Sequence, residues 1–182
     1  MHSAARLVLV LLALVAMRAA ALAPGKPLPR VHIAAAGELQ FVGDQLNLVP
    51  WDSSSLAGKL QVVQYLAARR SARDINRPFT DRLERSGISL DRYHLTTIVN
   101  LDDAMFGTRS LVMAELESNK RRYFRSTIVA DTEGAGRAAW GLAARSSAIL
   151  VVDAAGCVLF FRDGALAAEE IERVIELVRG GA

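Results

Sequence analysis

LQVVQYLAARRSARDINRPFTDRLER, residues 60–85, decides the fold. The run from Leu60 to Leu66 is apolar on both faces near its middle, as a central strand of a covered sheet should be. From Ala72 to Arg85 the period changes. Ile75, Phe79 and Leu83 recur at every fourth position, which predicts a helix with Gly87 available as its cap. Pro78 inside that helix lacks a backbone donor and clashes with the preceding turn, so a kink is expected there.

Downstream the order repeats. Leu95 to Asn100 reads as a second buried strand, followed by a helix from about Ser110 to Tyr123 with Leu111, Met113 and Leu116 facing inward. A strand at Thr127–Ala130 ends in Asp131-Thr132-Glu133-Gly134, and a short helix carries Ala138, Ala139, Trp140 and Leu142. Residues 148–152 and 157–161 flank Asp153-Ala154-Ala155-Gly156 and read as an antiparallel hairpin. A last helix from Ala167 to Val178 places Ile171, Val174, Ile175 and Val178 on one stripe, with Glu169 and Glu170 at its positive end. Alternating strands and helices followed by a hairpin and a helix predict an α/β fold, a mixed central sheet with helices on both faces.

Upstream, Trp51-Asp52-Ser53-Ser54-Ser55-Leu56 leads through Gly58-Lys59 into the first central strand. Before it, His32-Ile33 and Leu39-Gln40-Phe41-Val42 flank Ala36-Gly37 and suggest a short hairpin. The lead with Pro24, Pro27 and Pro29 is expected to be a mobile tail. At the start, Arg6 precedes an apolar run from Leu7 to Met17, with small residues from Ala19 to Ala23. That is the grammar of a secretory signal peptide, and the run is shorter than the roughly 20 residues that span a bilayer. Cleavage is expected after Ala21, since a cut after Ala23 would place Pro24 directly after it. No later segment is long and apolar enough to span a membrane.

Loss of residues 1–21 removes Arg6 and Arg18 and no acid, lowering the formal net charge from +3 to +1. Nucleic acid is therefore not expected as a partner, because a duplex binder concentrates cations on one face. The one dense cluster, Lys120-Arg121-Arg122 with Arg125, ends a predicted helix and complements its dipole. Residues 22–182 suit a single domain with one core. Cys157 is the only cysteine, so no intramolecular disulfide can form.

The strand from Leu60, Ala67 and the helix after it resemble the redox-active half of thioredoxin-like proteins. In that superfamily a Cys-x-x-Cys pair opens the helix and a proline follows five residues after the second cysteine. Counting back from Pro78 puts the pair on Arg70-Ser71-Ala72-Arg73, with arginine at both cysteine positions. A cis-proline precedes the aspartate that ends a later strand by six residues; counting back from Asp153 gives Ser147. Three departures argue against a working oxidoreductase. More narrowly the chain resembles the YtfJ family. The matching stretches are Ser71-Ala72-Arg73-Asp74, residues 96–104, Leu116-Glu117-Ser118-Asn119-Lys120, Ser146-Ser147-Ala148 and Asp163-Gly164-Ala165-Leu166. The resemblance implies a periplasmic thioredoxin-fold protein whose biochemical role is unassigned.

The chemical candidates follow from the register. Arg70, Ser71, Arg73 and Asp74 occupy the old active-site position, where guanidinium groups and helix-start donors favour a carboxylate or phosphate. The opposing reading leaves the arginines solvated or paired with Asp74 and nearby acids. Asn100, Asp102 and Asp103 lie at a strand's C-terminal end, the edge where open α/β sheets bind ligands. Too few oxygens converge there for Ca²⁺ or Mg²⁺, so capping near the Ser110 helix or pairing with Arg70 or Arg73 is expected. His32 and His94 match no zinc spacing, and Ser53 to Ser55, Ser146 and Ser147 lack a nucleophile signature. No metal or cofactor is assigned. The leading expectation is a binding or adaptor module whose surface, with Ser147 included, meets a periplasmic protein or a small anionic ligand. A cryptic enzyme in the same cleft and a one-cysteine thiol sensor at Cys157 are the competing readings.

Overall fold

The computed structural model describes residues 22–181. The expected signal peptide lies outside the described residues. Seven strands form one mixed sheet in the order β2-β1-β5-β4-β3-β6-β7. They are β1 (His32–Val42), β2 (Gln45–Asp52), β3 (Gln61–Ala67), β4 (His94–Asn100), β5 (Thr127–Asp131), β6 (Ser147–Val152) and β7 (Val158–Asp163). The central strands β3, β4 and β5 are parallel; β1, β6 and β7 each run antiparallel to the neighbour that precedes them inward. Every residue of β3 and β6 is buried, which accounts for their mainly apolar sequence, with Gln61, Gln64 and Ser147 as buried polar exceptions.

On one face Leu60, Val62, Ile149 and Val151 meet Phe79 and Leu83 of α2 (Arg77–Glu84) and Val174, Ile175 and Val178 of α5 (Ala168–Gly180). Beside them Leu116 of α3 (Arg109–Arg122) packs on Leu66, Val99, Ile128 and Ala130. The opposite face carries Val63, Tyr65, Ile98, Val129 and Leu150 under Trp51, Leu56 and Trp140, the last from α4 (Ala135–Trp140). Each large side chain buried in these layers contributes about 2 to 3 kcal/mol of hydrophobic free energy. Among the described residues no helix is long and apolar enough to cross a membrane.

Four expectations are corrected. The helix across Pro78 is two helices, α1 (Arg70–Ile75) and α2, separated at Asn76. Pro78 stands in the first turn of α2, where its missing donor costs nothing, and Asn76 between the helices has φ −110° and ψ 18°. The expected hairpin at Ala36-Gly37 is a bulge within β1, and the true turn is Gly43-Asp44, with Val42 facing Gln45. At the bulge Ala36 and Gly37 take φ 66° and 77°, letting β1 pair with β2 on one side and β5 on the other. The proline-rich lead is docked: Gly25 and Leu28 donate to the carbonyls of Val158 and Gly156, and Leu22 is buried in the core. Leu111 is exposed on α3, and Leu116 supplies the buried contact.

Candidate functional site

α1 opens at Arg70, directly after β3, so the strand delivers Arg70 and Arg73 to the C-terminal edge of the parallel strands. A six-residue helix sums little dipole, and the charge of this surface comes from its guanidinium groups. Arg70, Ser71, Arg73 and Asp74 are all exposed. Arg73 pairs with Glu115 of α3 at 2.6 Å, and Asp74 meets Arg77 at 3.6 Å. These solvated pairs contribute at most about 1 kcal/mol each. Arg70 forms no ion pair among the described residues. Behind it, Arg69 keeps its Nε buried without a hydrogen-bond partner.

The second expected group sits on the same sheet edge but is tied elsewhere. Asn100, fully buried, accepts from the backbone N–H of Asp102 at 3.0 Å and donates to Asp103 Oδ2 at 2.9 Å. Asp102 pairs with Arg137 of α4 at 3.2 Å, and Asp103 accepts from the backbone N–H of Arg145. Neither aspartate reaches Arg70 or Arg73, and neither caps α3, whose cap residue Thr108 makes no side-chain cap bond. The expected pairing and capping are thus replaced by ties to α4 and to the loop before β6. The reason is position: these aspartates form a short turn next to α4, while Arg73 leans over α3.

Ser147 lies beneath this surface. It is fully buried, its peptide bond is trans, and its hydroxyl accepts from Gln64 at 3.3 Å and from Asn76 at 3.1 Å. The Asn76 amide also donates to the carbonyls of Ser147 and Gly164, while its oxygen accepts from the Leu166 N–H. One side chain thereby stitches the α1–α2 break to β6 and to the loop entering α5. Two further side chains complete the edge. Tyr65 donates to the fully buried Asp131 at 2.8 Å, and Asp131 accepts from the Ala135 and Gly136 N–H groups at the start of α4. Burial, reinforced by the Asp131 charge, pushes the Tyr65 phenol well above its usual value of 10.0. Gly136 is required, since a Cβ there would stand 2.5 Å from the Tyr65 ring.

Cys157 is half-buried in the β6–β7 turn, where its N–H donates to Asp153. β3 and β6 run antiparallel, with Leu66 opposite Ser147 and Gln61 opposite Val152. The thiol therefore stands at the far end of the sheet from Arg70, about 20 Å away at the rise of a strand. It has no place in chemistry at the α1 surface.

Asn76, Arg137, Arg145 and Glu115 were not singled out from the sequence. Asn76 had a usable signal, being a polar residue four positions from both Ala72 and Thr80 on the stripe that buries Phe79 and Leu83. The other three are ordinary surface residues until the fold brings them to this edge.

This fold defines a thioredoxin-like α/β protein with arginines at the start of α1. The thioredoxin domain of a thiol-disulfide oxidoreductase from Bacteroides vulgatus superposes with a TM-score of 0.55 at 14% identity, over 86% of this chain and 97% of that one. The reduced 2-Cys peroxiredoxin of Plasmodium vivax gives 0.55 at 13% identity, over 86% and 82%. At such identities the likeness is one of fold. The chain belongs to the family described as "Bacterial protein of unknown function (YtfJ_HI0045)", which matches residues 22–180. It is 39% identical over 155 residues to the uncharacterized protein YtfJ of Escherichia coli K12, covering 85% of this chain and 84% of that protein. A Haemophilus influenzae uncharacterized protein is 38% identical over 153 residues, covering 84% and 83%.

Proposed function

We propose that this chain is an exported, non-redox binding module of the bacterial envelope, which holds an acidic protein segment or a small anionic ligand on the α1 surface. One observation carries the reading: Arg70, at the position of the first redox cysteine, is exposed and without an ion-pair partner among the described residues. A guanidinium so placed donates in a planar fork suited to carboxylate or phosphate. Export is supported by the charged, apolar and small-residue segments of residues 1–21. No bond-breaking step is required of the site.

Photo-crosslinking in intact cells from position 70, with a control probe at Arg173 on α5, tests the reading. A discrete product from position 70 alone is expected, diminished by excess acidic competitor. Equal products from both positions, or none from either, would remove the α1 surface from consideration.

A further inference from the structure

Three large apolar side chains stand in water at the C-terminal edge of the parallel strands. Phe106 is fully exposed, and Met105 beside it is 61% exposed, in the loop between the Asn100–Asp103 turn and α3. Leu111, in the first turn of α3, is 71% exposed. The segments on either side are anchored: Leu101 is buried with Ala68, and Ala104, Val112 and Met113 pack partly buried against the same cluster. An apolar group held outward by such anchors marks a surface that meets something.

The patch borders the α1 surface. Ala68, two residues before Arg70, donates to the Asn100 carbonyl at 2.9 Å, which sets the start of α1 beside the turn that leads into the loop. From the other side Glu115 reaches Arg73 at 2.6 Å, and Leu111 lies one helical turn before Glu115 on the same face of α3. Arg70 and Arg109, the latter opening α3, are exposed and make no ion pair among the described residues.

This mixture of groups selects the occupant. A small anion would engage Arg70 and leave the three apolar side chains in water. An anionic lipid surface would press a continuous layer of phosphates against Asp74 and Glu115, which stand among the arginines. A second copy docking this face on itself would set the same arginines opposite one another, because a two-fold contact pairs a patch with its own copy. A peptide instead places single carboxylates opposite chosen guanidinium groups and large apolar side chains between them.

We propose that α1 and the Met105–Leu111 patch form one docking surface for a segment of another protein that carries acidic residues among large apolar ones. Its acids meet Arg70 and Arg109, and its apolar side chains cover Phe106 and Leu111. This rests on the anion-binding reading of the α1 surface and narrows the ligand to a protein segment.

The test is selection of phage-displayed random peptides on the immobilised protein, with Phe106→Ser and Arg70→Gln proteins as parallel baits. Enriched sequences are expected to combine Asp or Glu with Phe, Leu or other large apolar residues. Synthetic peptides of those sequences should bind the unsubstituted protein about tenfold more tightly than either variant by calorimetry, with the thermal midpoints of both variants unchanged. Enriched peptides that lack apolar residues, or that bind Phe106→Ser as tightly as the unsubstituted protein, would overturn the docking surface and leave an anion-binding α1 surface standing. Absence of enrichment would also overturn it, and titration with glutamate and with inorganic phosphate then decides whether the α1 reading falls too. Sedimentation with phosphatidylglycerol vesicles, or a dimer that Phe106→Ser dissolves, would overturn the choice of partner.

Discussion

Replacing Asn76 by alanine strands the Gly164 carbonyl and the Leu166 N–H and removes one of two donors to the Ser147 hydroxyl. The Gly164 and Leu166 groups are part-buried and the Ser147 bonds buried, and a lost partner costs about 1 kcal/mol or more in such settings, so Asn76→Ala should lower stability by about 2 kcal/mol. Urea denaturation should show this as a reduced midpoint with an unchanged slope. Tyr65 adds a pH dependence. Its folded phenol binds its proton more tightly than the unfolded one, so this stabilisation is complete below the ordinary value of 10.0 and is lost as pH rises beyond it. Tyr65→Phe should cost about 1 kcal/mol at neutral pH and flatten the alkaline loss, as read from urea midpoints at neutral and alkaline pH. At this scale the sequence spoke unevenly. Arg70 and Arg73 were found by counting from Pro78, a local relation. The partners Glu115 and Arg137 lie 42 and 35 residues from Arg73 and Asp102, and only the folded sheet brings them near.

Among the elements, β1 shows best how a local signal is misread. Ala36-Gly37 between apolar groups has the chemistry of a turn, and the residues do take turn-like positive φ. The strand nevertheless continues, because β5 offers an edge on which Gly37 and Glu38 pair with Ala130 and Val129. A Cβ on Gly37 would fall 2.1 Å from the Val49 carbonyl oxygen. Gly37→Ala should therefore cost about 3 kcal/mol or more, combining strain at positive φ with displacement of backbone, measurable as a fall in thermal midpoint. The break between α1 and α2 has the same moral. Pro78 marked the place, but whether a helix bends or divides depends on Asn76 having Ser147 and Gly164 within reach. β3 and β6 were legible because their burial is complete, so composition marks them directly. Leu111 misled because α3 meets the sheet through Leu116, with Val112 and Met113 partly buried beside it, which leaves Leu111 facing water.

Viewed whole, the molecule places polar chemistry at both ends of an apolar sheet. The upper edge joins α1 to the Asn100–Asp103 turn, and the lower edge holds a cavity beside Gln61 and His94. Cys157 stands at the lower end, so thiol chemistry and the α1 surface are separated by the length of a strand. Fold class was readable from the order of strands and helices. The division of the upper edge into an α1 group and an α4-linked group was not, since it depends on which helix each charged side chain meets. The central claim, a surface that binds without thiol chemistry, is tested most directly by in-cell photo-crosslinking from position 70 in the presence and absence of Cys157→Ser. The same discrete product at the same yield in both backgrounds is expected. Loss of that product on replacing the cysteine would contradict the account.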